Sequence, residues 1–189
     1  MNSEYYPWGG EYTICQPNGC IAVVLLTIEY TPPDIVAIYG PLKTENIGIE
    51  KIVANVISNP HIRYLLLCGE DIRGHRSGTS LASLHKYGID EHHRIINAPG
   101  AIPYIENLER DALDRFQKQI ELVNLIGITE KKKIDTVIHT YHAKAPPVFG
   151  EPFIAIRIKP EATIDLRDAR ALHSRIVMNY LGKVEKRRT

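Results

Sequence analysis

Two short runs of almost unbroken apolar residues, IAVVLLTI at 21–28 and IRYLLLCG at 62–69, constrain this chain more than anything else in it. A strand that is apolar at successive positions must be covered on both faces, which is the pattern of a parallel sheet between helices. The stretch separating them has the other period. In LKTENIGIEKIVANVISNP the residues Ile49, Ile52, Val53, Val56 and Ile57 form one helical stripe, with Thr44 or Asn46 placed to cap its start and Pro60 to stop it. DIVAIYG (34–40) reads as another strand. A helix is predicted over 77–87, closed by Gly88, and HRIINAPGAIP (93–103) reads as a further strand and a glycine-containing turn. Ile105, Leu108, Ala112, Phe116, Ile120 and Val123 predict one long helix over 105–126. Ile134, Val137, Ile138 and Tyr141 predict another over about 130–143, and FIAIRI (153–158) reads as a last strand. Strands alternating with helices imply an α/β, Rossmann-like fold: a mostly parallel sheet with right-handed crossovers and helices on both faces.

In such a sheet ligands sit beyond the carboxyl ends of the strands. Three glycine-bearing loops are predicted there: Gly40-Pro41-Leu42, the stretch from Gly69 to Gly78, and Ala98-Pro99-Gly100-Ala101. They are expected to converge on one rim. The middle loop, GEDIRGHRSGTS, holds His75 between Gly74 and Gly78. Placed between a strand end and a helix start, the ring meets free backbone N–H groups and a positive helix dipole, which disfavour imidazolium and leave a lone pair for a metal. The flanking glycines suit the close approach of something broad and flat, and Ser77, Thr79 and Ser80 add hydroxyl donors. From its local sequence alone, His75 reads more simply as a loop histidine beside a tight turn.

Other chemistry finds little footing. The sequence has no GxSxG elbow, P-loop or HExxH motif, and its glycines do not form a dinucleotide fingerprint. His139 and His142 have a metal-pair spacing without a carboxylate or cysteine at ligand distance, and His92-His93 is no better placed; His85 is expected to face outward. Lys and Arg total 23 against 22 Asp and Glu, a net charge of +1, so no overall field draws nucleic acid or an anionic membrane. Three cysteines, Cys15, Cys20 and Cys68, suit a reducing cytoplasm rather than a disulfide framework. The N-terminus has no signal-peptide pattern, and the longest apolar run falls well short of the roughly 20 residues of a spanning helix. Direct membrane insertion is therefore not expected. Residues 161–189 read as a separate extension, with Leu172, Ile176, Val177 and Tyr180 suggesting an amphipathic helix before a charged tail.

Four blocks resemble a known family: WGGEYTI near the start, GPLKTENIGIEKIVANVISNPHIRYLLLCGEDIRGHRSG (40–78), YGID (87–90) and IINAPGAIPYIEN (95–107). They resemble the A subunit of tetrahydromethanopterin S-methyltransferase. That resemblance implies a corrinoid-binding α/β domain over 1–160, with a cobamide as cofactor and His75, in its G-H-x-x-G stretch, as lower axial ligand of the cobalt. Gly40, Pro41, Leu42, Gly69, Gly74, Ser77, Gly78, Thr79, Gly100 and Ala101 would then line the ring. It implies a carrier that accepts a methyl group on cobalt from a methylpterin and passes it to a thiol such as coenzyme M, with partner subunits bringing both. Such a carrier is not sufficient for catalysis alone. Two other readings stay open: a corrinoid storage or sensing module without methyl transfer, and a nucleotide- or anion-binding domain that uses its glycine loops.

Two departures carry consequences. Better-known corrinoid modules place an Asp two residues before the histidine; here that position is Arg73, which cannot accept a hydrogen bond. A backbone carbonyl, Asp71 or a water is expected to orient the ring instead, and the bond to cobalt is expected to be weak and reversible. Family members continue into a membrane helix, whereas this chain ends in KVEKRRT and reads either as a cut-down soluble domain or as a soluble homologue.

Overall fold

The computed structural model describes residues 5–155 throughout, and the backbone of 170–173, 176–179 and 184–186. Strand β1 (Thr13–Ile14) is followed by β2 (Ile21–Leu25), β3 (Ile38–Pro41), α1 (Ile47–Ser58), β4 (Tyr64–Gly69), α2 (Ser77–Tyr87), α3 (Arg110–Gln119), β5 (Glu121–Ile126) and α4 (Lys131–His142). The sheet order is β1-β3-β2-β4-β5, parallel except for β1, which pairs antiparallel to β3. The expected α/β class is present. Alternate residues of the central strands feed two cores: Ala22, Val24, Leu65 and Leu67 pack under α1, α2 and α3, while Val23, Leu66 and Cys68 pack against Ile134 and Ile138 of α4. This is why the runs at 21–28 and 62–69 lack a polar face.

Helix α1 follows its sequence signals. Ile49, Val53 and Ile57 are fully buried, the Asn46 side chain accepts from Ile47 N–H at 2.7 Å, the Thr44 hydroxyl oxygen accepts from Gly48 N–H at 2.9 Å, and the helix ends before Pro60.

Three expectations within residues 5–155 are corrected. The long helix over 105–126 is instead a loop, the ten-residue α3 and the edge strand β5. Its apolar residues face one core from three backbone conformations, and pairing along β4 outweighs helical continuity from Ile120 onward. The stretch 93–103 is no strand; it makes only the isolated bridges Ile89↔Ile95 and Arg94↔Tyr104, since His93 and Asn97 are left-handed and Pro99 and Pro103 have no N–H to pair. Phe153–Ala155 lies outside any strand, and the remainder of FIAIRI lies outside the described residues.

Ile158–Thr189 forms a second unit. Within it β6 (Arg170–His173), β7 (Ile176–Asn179) and β8 (Val184–Lys186) make an antiparallel sheet where a helix is expected; Tyr180 lies outside the described residues. Pairing of His173 with Ile176 leaves two residues between β6 and β7, and the adjacent β-branched pair Ile176-Val177 favours the extended form.

Candidate functional site

The strand order reverses at β2. The loops leaving β3 and β4 therefore flank its carboxyl end, the crevice where open α/β sheets bind ligands. The loop after β3 carries Glu45, and the loop after β4 carries His75. They meet: His75 Nδ1 lies 3.1 Å from Glu45 Oε2. The other carboxylate oxygen accepts from the backbone N–H of Ile102 at 3.1 Å. Gly100 lies against both, since a Cβ there would stand 2.8 Å from the His75 carbonyl and 2.9 Å from the Glu45 side chain. The loops that carry Glu45, His75 and Gly100 thus converge on one rim.

Burial divides the pair. The Glu45 side chain is 5% exposed and that of His75 60%. Burial raises the Glu45 pKa, but its own backbone N–H, that of Ile102 and the His75 ring outweigh this and hold the carboxyl below the ordinary glutamate value. An ionised carboxylate only accepts, so Nδ1 must donate, and in the neutral ring the lone pair is fixed on Nε2. Nε2 has no hydrogen-bond partner among the described residues. Ile72 on the same loop is 51% exposed and Ile102 58%, and Ile47, beside Asn46 at the start of α1, is also exposed. An imidazole with one nitrogen free therefore rises among loops bearing outward isoleucines.

Asp71 has a different job from the one expected. Its carboxylate accepts from the N–H groups of Gly78 and Thr79, each at 2.7 Å, and from the Thr79 hydroxyl at 2.5 Å. It caps α2, whose preceding residue, Arg76, is left-handed and gives the helix no side-chain cap of its own. The positive helix end expected around His75 is thus neutralised, and the anion-binding reading loses these donors. Thr79 and Ser80 spend their hydroxyls inside the protein, the latter on the Arg76 carbonyl, and Ser77 is buried.

Internal packing by itself requires most of the glycines. A Cβ on Gly40 would meet the Glu11 carbonyl at 2.5 Å, one on Gly69 would meet Ile28, and one on Gly78 would meet Leu26 at 2.6 Å. Only Gly74 of the group, at φ +93°, faces open space. Leu42 belongs to the core, while Pro41 and Ala101 are exposed.

Two further histidines are held by backbone carbonyls. His85, expected to face outward, bonds the Ile120 carbonyl at 2.7 Å through Nε2 against Phe116, and His93 bonds the Ile105 carbonyl. No group of three or more metal-ligating side chains occurs among the described residues. All three cysteines are free, and burial pushes the Cys68 thiol up to about 12. No helix among the described residues is long and apolar enough to cross a membrane.

The residue that sequence reasoning misses is Glu45. Positions next to the histidine do not reveal it, because it lies 30 residues upstream. The signal that could find it is a carboxylate in the turn that opens α1, on the rim that β2 separates from His75.

Residues 2–165 match the family described as the A subunit of tetrahydromethanopterin S-methyltransferase. The chain is 44% identical over 150 residues to the A component of a putative methyltransferase, Mtx, of Methanosarcina barkeri, covering 79% of this chain and 76% of that one. It is 44% identical over 154 residues to the first A-type subunit of tetrahydromethanopterin S-methyltransferase from Methanothermobacter thermautotrophicus, covering 79% and 65%. It is 41% identical over 157 residues to the corresponding tetrahydromethanopterin S-methyltransferase protein of Methanohalophilus mahii, covering 81% and 65%. The match thus spans under two thirds of the length of the two latter proteins.

Proposed function

Because the chain belongs to the family of tetrahydromethanopterin S-methyltransferase A subunits, we propose that it is the corrinoid carrier of a methyltransferase system, with His75 as reversible lower axial ligand of the cobalt. One observation carries this reading: an exposed imidazole whose Nδ1 is engaged by a buried carboxylate and whose Nε2 has no partner among the described residues. That is the arrangement of a metal-ligating histidine with its supporting partner. The surroundings fit a large, partly apolar macrocycle. Ile72 and Ile102 offer exposed apolar surface, and Gly74 leaves open space next to the ring.

A bound cobamide would supply the methyl-accepting and methyl-donating chemistry of its cobalt. The protein's part is positional. Glu45 would orient the ring, the place that the sequence left to a backbone carbonyl, Asp71 or a water. Reversibility would rest on release of the ring, because its one side-chain bond is to Glu45 and its loop is exposed from Ile72 to Arg76. A methylpterin as donor and a thiol such as coenzyme M as acceptor complete the proposal, each brought by a separate partner protein.

The test is a titration of the purified protein with a cobamide, followed by visible absorbance, for wild type, His75→Ala and Glu45→Gln. Wild type is expected to shift the cobamide spectrum on binding, and His75→Ala to lose that shift. Glu45→Gln is expected to keep it at reduced affinity. Identical spectra for wild type and His75→Ala would remove His75 from the cobalt.

A further inference from the structure

At the carboxyl end of β5 a groove of about 410 Å³ opens between that strand and the start of α4. It lies at the end of the sheet that carries His75. Gly69, where the histidine's loop leaves β4, donates its N–H to the Ile128 carbonyl at 3.0 Å and accepts from Gly127 N–H at 2.9 Å. Leu125, Ile128 and Val137, all half-buried, form an apolar wall. The Thr136 hydroxyl beside them is spent inside α4, on the Lys132 carbonyl at 2.8 Å. The wall therefore offers contact area and no directed hydrogen bond.

Its mouth is positive. Lys131, Lys132 and Lys133 occupy the first turn of α4 and are all exposed, and the last two line the groove. Lys133 pairs with Glu130 at 2.8 Å, whereas Lys131 and Lys132 have no carboxylate partner among the described residues. Asp135, one turn on, accepts from the Tyr30 hydroxyl. The first turn is the positive end of a helix and favours acidic residues, so folding gives no reason for three lysines there. Overall charge gives none either, being only +1. Apolar surface rimmed by charge of one sign fits an acidic protein surface with an apolar side chain at its centre. An anionic membrane fits less well, since basic segments that hold to one carry about four to eight Lys or Arg. Nucleic acid finds no aromatic side chain to stack on among the residues lining the groove.

Resting on the corrinoid reading above, we propose that this groove docks an acidic surface of the partner protein that brings the methylpterin. Of the partners that reading requires, this is the one whose substrate the family description names, tetrahydromethanopterin. Because β4 and β5 are paired neighbours, a protein seated on the groove stands beside the loop that bears His75.

The experiment titrates the cobamide-loaded full chain with the purified methylpterin-binding protein of the same methyltransferase system, by calorimetry, and records the His75-dependent cobamide spectrum on the same samples. Lys131→Glu with Lys132→Glu should weaken partner binding at least about tenfold, leaving cobamide affinity and spectrum unchanged. Glutamate suits a helix start, so this variant should melt no lower than wild type. Lys131→Arg with Lys132→Arg should keep the wild-type affinity. Added salt should weaken the wild-type complex and hardly affect that of the charge-reversed variant. Lys86→Glu with Lys118→Glu, an equal charge change at exposed sites on α2 and α3, should bind the partner as wild type does.

Equal affinity of wild type and the charge-reversed variant, or no partner binding by wild type, overturns the docking assignment and leaves the corrinoid reading standing. Equal weakening by the α2 and α3 substitutions overturns it in favour of a net-charge effect. Sedimentation of wild type with phosphatidylserine vesicles, lost in the charge-reversed variant while partner affinity is kept, overturns it in favour of a membrane surface. If wild type takes up no cobamide, the corrinoid reading falls and the partner assignment with it.

Discussion

The two ends of the sheet use buried polar side chains for opposite purposes. At the amino ends of β4 and β5, Gln119 is 1% exposed and donates to the carbonyls of Val56, Asn59 and Ile62, while Arg115 donates to its Oε1 and Arg63 to its backbone carbonyl. Phe149 lies between the two guanidinium groups, and all three side chains are half-buried. At the carboxyl ends, Glu50 accepts from the N–H groups of Glu106 and Asn107 and from the Asn107 amide, and Glu45 from Ile102 N–H and His75. These carboxylates pin loops whose other groups, His75, Ile72 and Ile102, are left outward. One end closes the sheet, whereas the other holds a surface open. Stability and ligand binding should therefore separate when each end is altered.

The largest separation is expected for Gln119→Leu. Three buried carbonyls lose a donor, and the folded state should lose about 3 kcal/mol by denaturant unfolding, while the folded fraction keeps its cobamide spectrum. Equal damage to binding would break the comparison. Asp71→Ala removes the cap of α2 and is expected to cost about 1–2 kcal/mol and to loosen His75, so stability and the spectral shift should fall together.

Glu45 sharpens the comparison through pH. Its carboxyl titrates below the ordinary glutamate value in the folded protein, so its contribution is fully present above about pH 4.5 and is lost as pH falls through the depressed value. Wild type should lose stability more steeply below pH 4.5 than Glu45→Gln, as followed by acid unfolding. The smallest effect on folding is expected for Ile102→Ser: stability within about 0.5 kcal/mol of wild type, but weaker cobamide binding.

The strands β2 and β4 and helices α1, α2 and α4 are legible because each is a single element with one period, and the helices carry clear stops. β5 is not, because Ile120, Val123 and the stripe before them satisfy a helical spacing by coincidence; only pairing with β4, a contact distant in sequence, decides it. The 93–103 segment reads as a strand from its β-branched residues, but left-handed His93 and Asn97 are set by tertiary contacts such as His93 with the Ile105 carbonyl. His75 stands out from its loop alone. Its partner does not, because a side chain 30 residues away becomes a neighbour only once the strand order is known.

Ligation of cobalt by Nε2 of His75 is tested most directly by electron paramagnetic resonance of the cobalt(II) cobamide on protein labelled with ¹⁵N only at histidine. On labelling, the nitrogen splitting is expected to change from a triplet to a doublet, and His75→Ala to abolish the change. A splitting indifferent to the label would show that no histidine holds the metal.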